Sequence, residues 1–247
     1  MRLGTKNSLP LLIPVISIII GAVIAMLTTP SPIMLNYFRN LAAGIVLAVV
    51  ATEFVPQLVP VEDFKSRLYI ILGLVMGATL LISARFYFDK YNIKAQSFKK
   101  VPWEIVMSIC IDFSIDGFLI GIANAISPNL RTILGIALGA EMALISITIH
   151  EIMKQNQVGT IEVIGVTMML TTSVTISMLA GIHFGKTIKG KPIFYAIIAF
   201  GTAALIWLIT EELLVFNSKT DFNSILAPSM LFIGFMGVVI SKWFIKE

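Results

Sequence analysis

Two aspartates stand four residues apart in a stretch of the chain that is otherwise apolar. Asp112 and Asp116 lie within residues 108–126, and a second apolar stretch ends in His150-Glu151-Ile152-Met153-Lys154. Ionisable groups inside a membrane are costly and usually functional. Four residues make about one helical turn, so Asp112 and Asp116 share one helix face, and His150 and Lys154 share another. The spacing therefore predicts two helices that frame one buried charged site.

The charges of this site do not balance. Asp112, Asp116 and Glu151 contribute three negative charges, Lys154 contributes one positive charge, and a neutral His150 adds none. Four unpaired charges at about 2.5–3.5 kcal/mol each would cost on the order of 10 kcal/mol at mid-membrane. One divalent cation would neutralise the remainder, and these ligands suit zinc, manganese, iron or cobalt better than copper(I). Alternatively, two carboxyls stay protonated and the cluster carries protons.

Serines extend both polar faces by one turn. Ser108 precedes Asp112 by four residues, and Ser146 precedes His150 by four. Each helix therefore carries a polar line that could form the wall of a pathway. The alternative is that each serine bonds its own backbone or a neighbouring helix, as serines in spanning helices commonly do.

Three further residues on these helices are expected outside the charged site. Gly117 and Gly121 are four apart, which would let the backbone of a neighbouring helix approach closely. Glu141 lies nine residues before His150 and hence on the opposite face of its helix. We therefore expect the glycines to serve packing and Glu141 to face elsewhere.

The composition indicates an all-α integral membrane protein with a single transmembrane domain over residues 1–247. Of the 247 residues 57% are hydrophobic and only 13% are charged, about half the charge of a soluble domain. The mean hydropathy is +0.93. The net charge of +4 comes from loop lysines, which indicate contact with the lipid bilayer and not with nucleic acid. Eight apolar segments are long enough to cross a bilayer, and they cover residues 9–29, 36–59, 67–88, 103–126, 131–155, 158–182, 192–215 and 225–245.

The second and seventh segments share a weak repeat. Gly44 is followed by Thr52-Glu53, and Gly201 is followed by Thr210-Glu211 at nearly the same spacing. The two related halves of a transporter would share such a repeated motif, although apolar helices also resemble one another by chance. Glu53 and Glu211 are candidates for gates or ligands along the pathway. Each lies towards one end of its segment, so solvation by water is the alternative.

The order of these motifs resembles that of the ZIP divalent-metal transporters. The segment Asp112-Phe113-Ser114-Ile115-Asp116-Gly117 is similar to the family motif H-N-x-x-[DE]-G of the fourth helix. His150-Glu151-Ile152-Met153-Lys154-Gln155 is similar to H-E-I-P-H-E of the fifth. The stretch from Ala43-Gly44 to Glu53-Phe54-Val55-Pro56 looks like A-G-x-x-L-A…H-x-x-P of the second.

The resemblance implies an eight-helix bundle in which helices one to three and six to eight form an inverted repeat around helices four and five. It implies one metal position at Asp112, Asp116, His150 and Glu151. Lys154 stands where the family has a histidine or a bridging glutamate. A second metal position would then be lost. The ammonium group of Lys154 would take the place of the second cation and hold the carboxylate of Asp116 or Glu151.

We therefore expect a multi-pass protein of the cell membrane that transports zinc, iron or manganese as its substrate. The expectation includes no organic cofactor and no enzymatic activity, and it leaves open a homodimer. The resemblance implies termini outside, whereas the distribution of loop lysines and arginines favours termini inside. The alternative function is a degenerate ZIP-like protein that acts on protons or an organic solute without metal.

Overall fold

The computed structural model describes residues 9–92, 101–217 and 226–245, which form helices without a strand in the described ranges. A π-helical segment, Val50–Phe54, joins the second and third helices. The helices are α1 (Leu9–Leu27), α2 (Pro32–Val49), α3 (Val55–Leu58), α4 (Phe64–Asn92), α5 (Trp103–Ile126), α6 (Pro128–Gln155), α7 (Thr160–Ile188), α8 (Pro192–Asn217) and α9 (Leu226–Ile245).

The helices give the chain the architecture of an all-helical, multi-pass membrane protein. Six described helical segments are long and apolar enough to cross a bilayer, and they cover Ile33–Leu58, Phe64–Ser83, Trp103–Ile126, Pro128–Gln155, Thr160–Ile188 and Pro192–Thr210. Two shorter apolar helices, Leu11–Leu27 and Pro228–Ser241, coincide with the first and last predicted segments. Large apolar side chains such as Met76, Met168 and Phe232 are exposed, as contact with lipid requires.

The chain divides into two compact units. Unit 1 comprises Met1–Leu35 and Lys99–Thr187, and unit 2 comprises Asn36–Phe98 and Ile188–Glu247. Unit 1 therefore contains α1, α5, α6 and α7, whereas unit 2 contains most of α2 together with α3, α4, α8 and α9. Both predicted charged motifs, on α5 and α6, belong to unit 1.

Glycine allows close helix packing within unit 1, as the sequence predicted. A Cβ atom added at Gly121 of α5 would collide with the backbone of Met178 and Gly181 on α7. A Cβ atom added at Gly117 would collide with Ser177 of the same helix. The α5–α7 pair is thus fixed along the length of α5 that carries the aspartates.

In unit 2, a proline explains the π-helical segment. Pro56 lacks the N–H group that would bond to the Thr52 carbonyl, and its ring clashes with that carbonyl in a regular α-helix. The helix widens immediately before it, where the Val55 N–H bonds to the Val50 carbonyl. Glu53 lies inside this wider turn and is half-buried. Such turns occur frequently at functional sites.

Candidate functional site

The two aspartates lie in the middle of α5 in unit 1. Asp116 is only 3% exposed, and Asp112 is half-buried. Ser114 lies midway between the two aspartates in sequence and contacts α7. Two residues correspond to a rotation of about 200° around the helix axis, so both aspartates lie on the side of α5 away from α7. The predicted shared face therefore exists, and α7 does not cover it.

Ser114 connects α5 to α7 through a small hydroxyl cluster. The Oγ atoms of Ser114 and Ser173 are 2.6 Å apart. Both hydroxyls also lie within donating distance of the Cys110 carbonyl, at 2.7 Å from Ser114 and 2.9 Å from Ser173. Two hydroxyl protons thus serve three contacts, and the cluster fixes the position of α7 beside the aspartate turn.

His150 on α6 is 2% exposed, and both of its ring nitrogens have partners. Nδ1 lies 2.7 Å from the Ser146 carbonyl oxygen, which can only accept, so Nδ1 carries a proton and donates it. Nε2 lies 2.7 Å from Oγ1 of Thr167 on α7. The Ser146 hydroxyl donates to the Ile18 carbonyl of α1 at 2.8 Å. This serine therefore bridges two helices, which was the structural alternative for it.

The two contacts on α7 show that His150 and the aspartates occupy different levels of unit 1. Thr167 contacts His150 and Ser173 contacts Ser114, and these two α7 residues are six positions apart, which is about 9 Å of helix. The structure thus places His150 about 9 Å along α7 from the centre of the aspartate turn.

The grouping of the other potential metal ligands agrees with the separation of His150 from the aspartates. Across the part of the chain that the structure describes, no three His, Cys, Asp or Glu side chains form a group that could hold a metal ion. Asp112, Asp116, His150 and Glu151 are thus not brought together around one point. Their participation in a common pathway stays a prediction.

Lys154 contacts a helix end and not a carboxylate. Its ammonium group donates to the carbonyls of Ala25 and Met26, at 3.3 and 3.4 Å. These are among the last residues of α1, where unsatisfied carbonyls and the helix dipole favour a cation. Among the described residues Lys154 forms no ion pair, so the expected pairing with Asp116 or Glu151 does not occur here. Glu151 itself is half-buried.

The remaining predicted residues are distributed over both units. Ser108 is half-buried on α5 in unit 1. Glu53 belongs to unit 2, within the π-helical turn. The backbone of Glu211 lies in α8, but its side chain is outside the described part of the structure.

Glu141 is a buried carboxylate that the sequence analysis placed outside the site. It is 1% exposed and lies nine residues, about 13 Å, from His150 along α6 towards the α5–α6 turn. The aspartate level lies about 9 Å from His150 in the same direction, so Glu141 is nearly level with Asp116. Counting from the turn agrees, because Asp116 is ten residues before Ile126 and Glu141 is thirteen after Pro128.

The hydroxyls of α7 were also missed. Thr167 and Ser173 contact the two charged helices, and Thr171 lies between them with its hydroxyl bonded to the Thr167 carbonyl. The signal was present as the run Thr171-Thr172-Ser173-Val174-Thr175-Ile176-Ser177 in an otherwise apolar helix. Its density of hydroxyls identifies α7 as the polar neighbour of α5 and α6.

Unit 2 contains a separate open cleft of about 490 Å³ at the beginnings of α4 and α8. Asp63 lines it and accepts hydrogen bonds from the Ser66 N–H and hydroxyl, both at 2.9 Å. These bonds lower the pKa of Asp63 below its ordinary value of 3.8. Asp63 is therefore an ionised helix cap.

Comparison with known proteins does not assign the chain to a family: no protein-family model matches it, and no curated protein does.

Proposed function

We propose that this chain transports a divalent metal cation, zinc, iron or manganese, through unit 1. The observation that carries the proposal is the geometry of His150. Its Nδ1 donates to the Ser146 carbonyl, and in the neutral ring Nε2 then keeps the lone pair. Metal-binding histidines are held in this way, with the second ring nitrogen donating to a carbonyl or carboxylate.

The aspartate level supplies the charge that a cation needs. Asp112 and Asp116 lie one turn apart on α5, and Asp116 is almost fully buried in an apolar helix. Buried carboxylates in a spanning helix usually mark an ion pathway. Glu141, nearly level with Asp116, adds a third carboxylate at this depth of unit 1.

Two levels about 9 Å apart suggest a sequence of two stations. A cation would occupy the aspartate station and the His150–Glu151 station in turn, and helix movement would open each side of the membrane alternately. Proton exchange on the carboxylates would assist release. In this scheme Lys154 of α6 contacts the end of α1 and does not replace a second cation.

The proposal includes the ZIP-like architecture. Each of the eight predicted segments overlaps a described helix, and this overlap supports eight spans. The proposed arrangement of these spans is an inverted repeat in the cell membrane, with both termini outside. The proposed substrate is the metal itself, without an organic cofactor and without enzymatic chemistry. A homodimer is compatible with it.

A second function is favoured by one observation. Hydroxyl groups of α7 contact both charged helices: Thr167 contacts His150 on α6, and Ser173 contacts Ser114 on the face of α5 opposite to the aspartates. A line of hydroxyls can pass protons without any metal, so transport of protons or of an organic solute is the alternative.

Proteoliposomes with two internal indicators separate the two functions. One indicator reports divalent cations and the other reports pH, and a panel of zinc, iron and manganese is applied outside. Metal-dependent signals that Asp112→Asn removes support metal transport. A pH signal that needs no metal, combined with no metal uptake by correctly inserted protein, would favour the alternative.

A further inference from the structure

The Thr167 hydroxyl stands at the only nitrogen of His150 that could bind a metal. Nδ1 is committed to the Ser146 carbonyl, so a metal must approach Nε2. The Thr167 Oγ1 atom is 2.7 Å from Nε2. With a neutral ring, Thr167 donates its proton to the Nε2 lone pair, because Nε2 has no proton to give.

Thr167 has a second acceptor within reach. Its Oγ1 atom is 2.9 Å from the Val163 carbonyl oxygen, one turn earlier in α7. A hydroxyl has one proton, so Thr167 can donate either to His150 or to Val163, but not fully to both. Turning the proton towards Val163 would expose the Nε2 lone pair without leaving the hydroxyl unsatisfied.

We propose that Thr167 is a specificity-determining latch, whose hydroxyl competes with metal for Nε2 of His150 and yields by donating to the Val163 carbonyl instead. The inference rests on the proposed function. The latch imposes a cost on every ion that uses the imidazole. It therefore weakens zinc and cobalt, which bind imidazole well, more than manganese, which prefers oxygen ligands.

Thr167→Val tests the latch because valine keeps the shape and removes the hydroxyl. We expect the zinc concentration for half-maximal uptake to fall about threefold to tenfold, the effect of one competing hydrogen bond. The manganese value should stay unchanged, so the zinc-to-manganese preference rises. Thr167→Ser keeps the hydroxyl and should behave as the wild type.

Two controls isolate the His150 contact. Thr171→Val removes a hydroxyl one turn further along α7, whose hydrogen bonds within the described residues go to the backbone carbonyls of Thr167 and Met168, and it should not change the preference. In a His150→Asn background, Thr167→Val should have no effect on zinc. A loss of zinc affinity in Thr167→Val, or the same gain in the His150→Asn background, would overturn the latch.

A measurement without transport separates failure of the latch from failure of the proposed function. The chain has two histidines, so His183→Gln leaves His150 as the single imidazole. Its Nε2 resonance in nitrogen-15 NMR of the metal-free protein reports whether the lone pair accepts a hydrogen bond. We expect Thr167→Val to shift this resonance downfield, and an unchanged resonance would contradict the latch even if metal uptake is confirmed.

Discussion

His150 and Ser114 contact the same helix, α7, at Thr167 and Ser173, six residues apart. The two charged motifs of the sequence therefore lie at separate levels of unit 1, about 9 Å from one another along the helix. The two levels differ in chemistry, because one has the imidazole of His150 and the other has only carboxylates, so they should respond differently to substitution.

The histidine level should determine which ion is preferred. His150→Gln removes the imidazole but leaves the aspartate level intact, so uptake should continue with reduced zinc preference. We expect the half-saturating zinc concentration to rise at least about tenfold, the smaller end of the effect of disturbing a metal ligand. The manganese value should change little. Competition between the two ions in proteoliposomes measures this, and equal losses for both ions would contradict separate stations.

The carboxylate of Glu141 should contribute to cation binding at the aspartate level. Glu141→Gln keeps the volume and hydrogen-bonding capacity of a side chain that is 1% exposed, but it removes the negative charge. Attraction of a divalent ion within a low-dielectric site is strong, so uptake at limiting zinc should fall at least about tenfold. Glu104→Gln, an exposed glutamate in the first turn of α5, is the matched control. Equal rates for both variants would place Glu141 outside the pathway.

The ammonium of Lys154 should matter for stability and not for affinity. Lys154→Gln removes the cation that donates to Ala25 and Met26, at the end of α1. The expected loss is about 0.3–1 kcal/mol, typical of a charge at a helix terminus. Thermal unfolding in detergent should show a lower melting temperature, whereas the half-saturating zinc concentration stays constant. A clear gain in zinc affinity would show instead that Lys154 repels the transported ion.

The close approach of α5 and α7 should be sensitive to a single methyl group. A Cβ atom at Gly121 would meet the backbone of α7, so Gly121→Ala should destabilise by about 1–3 kcal/mol. Gly165 lies on α7 with open space around its Cβ position. Gly165→Ala should therefore stabilise by about 0.5–1 kcal/mol through helix propensity alone. Melting temperatures that move in the same direction would contradict this packing.

Much of the helical pattern follows from the sequence. The predicted segment 103–126 coincides with α5, Trp103–Ile126, and the predicted close approach at Gly117 and Gly121 is confirmed. The apolar runs have the length needed to cross a bilayer, and several end beside a proline or a charged residue, such as Pro60 and Asp89. The π-helical turn before Pro56 was not predicted, because apolar periodicity does not locate such a distortion.

The depths of the site residues along the helices, relative to one another, were harder to predict. Spacing in one helix gives the face that a side chain occupies, but it does not give the depth of that side chain relative to another helix. Counting residues outward from the α5–α6 turn would have placed Glu141 nearer than His150 to the depth of Asp116. The partners of His150 and Lys154 lie on α7 and α1, so they depend on tertiary packing that the helix pattern does not contain.

The most direct test of the central claim is the initial rate of zinc uptake into proteoliposomes by Asp116→Asn beside Asp63→Asn. Both changes replace a carboxylate by an amide, and asparagine at position 63 can still cap α4. The account predicts that Asp63→Asn keeps the wild-type rate and that Asp116→Asn falls to the rate of protein-free liposomes. A wild-type rate for Asp116→Asn, in correctly inserted protein, would contradict transport through the aspartate level.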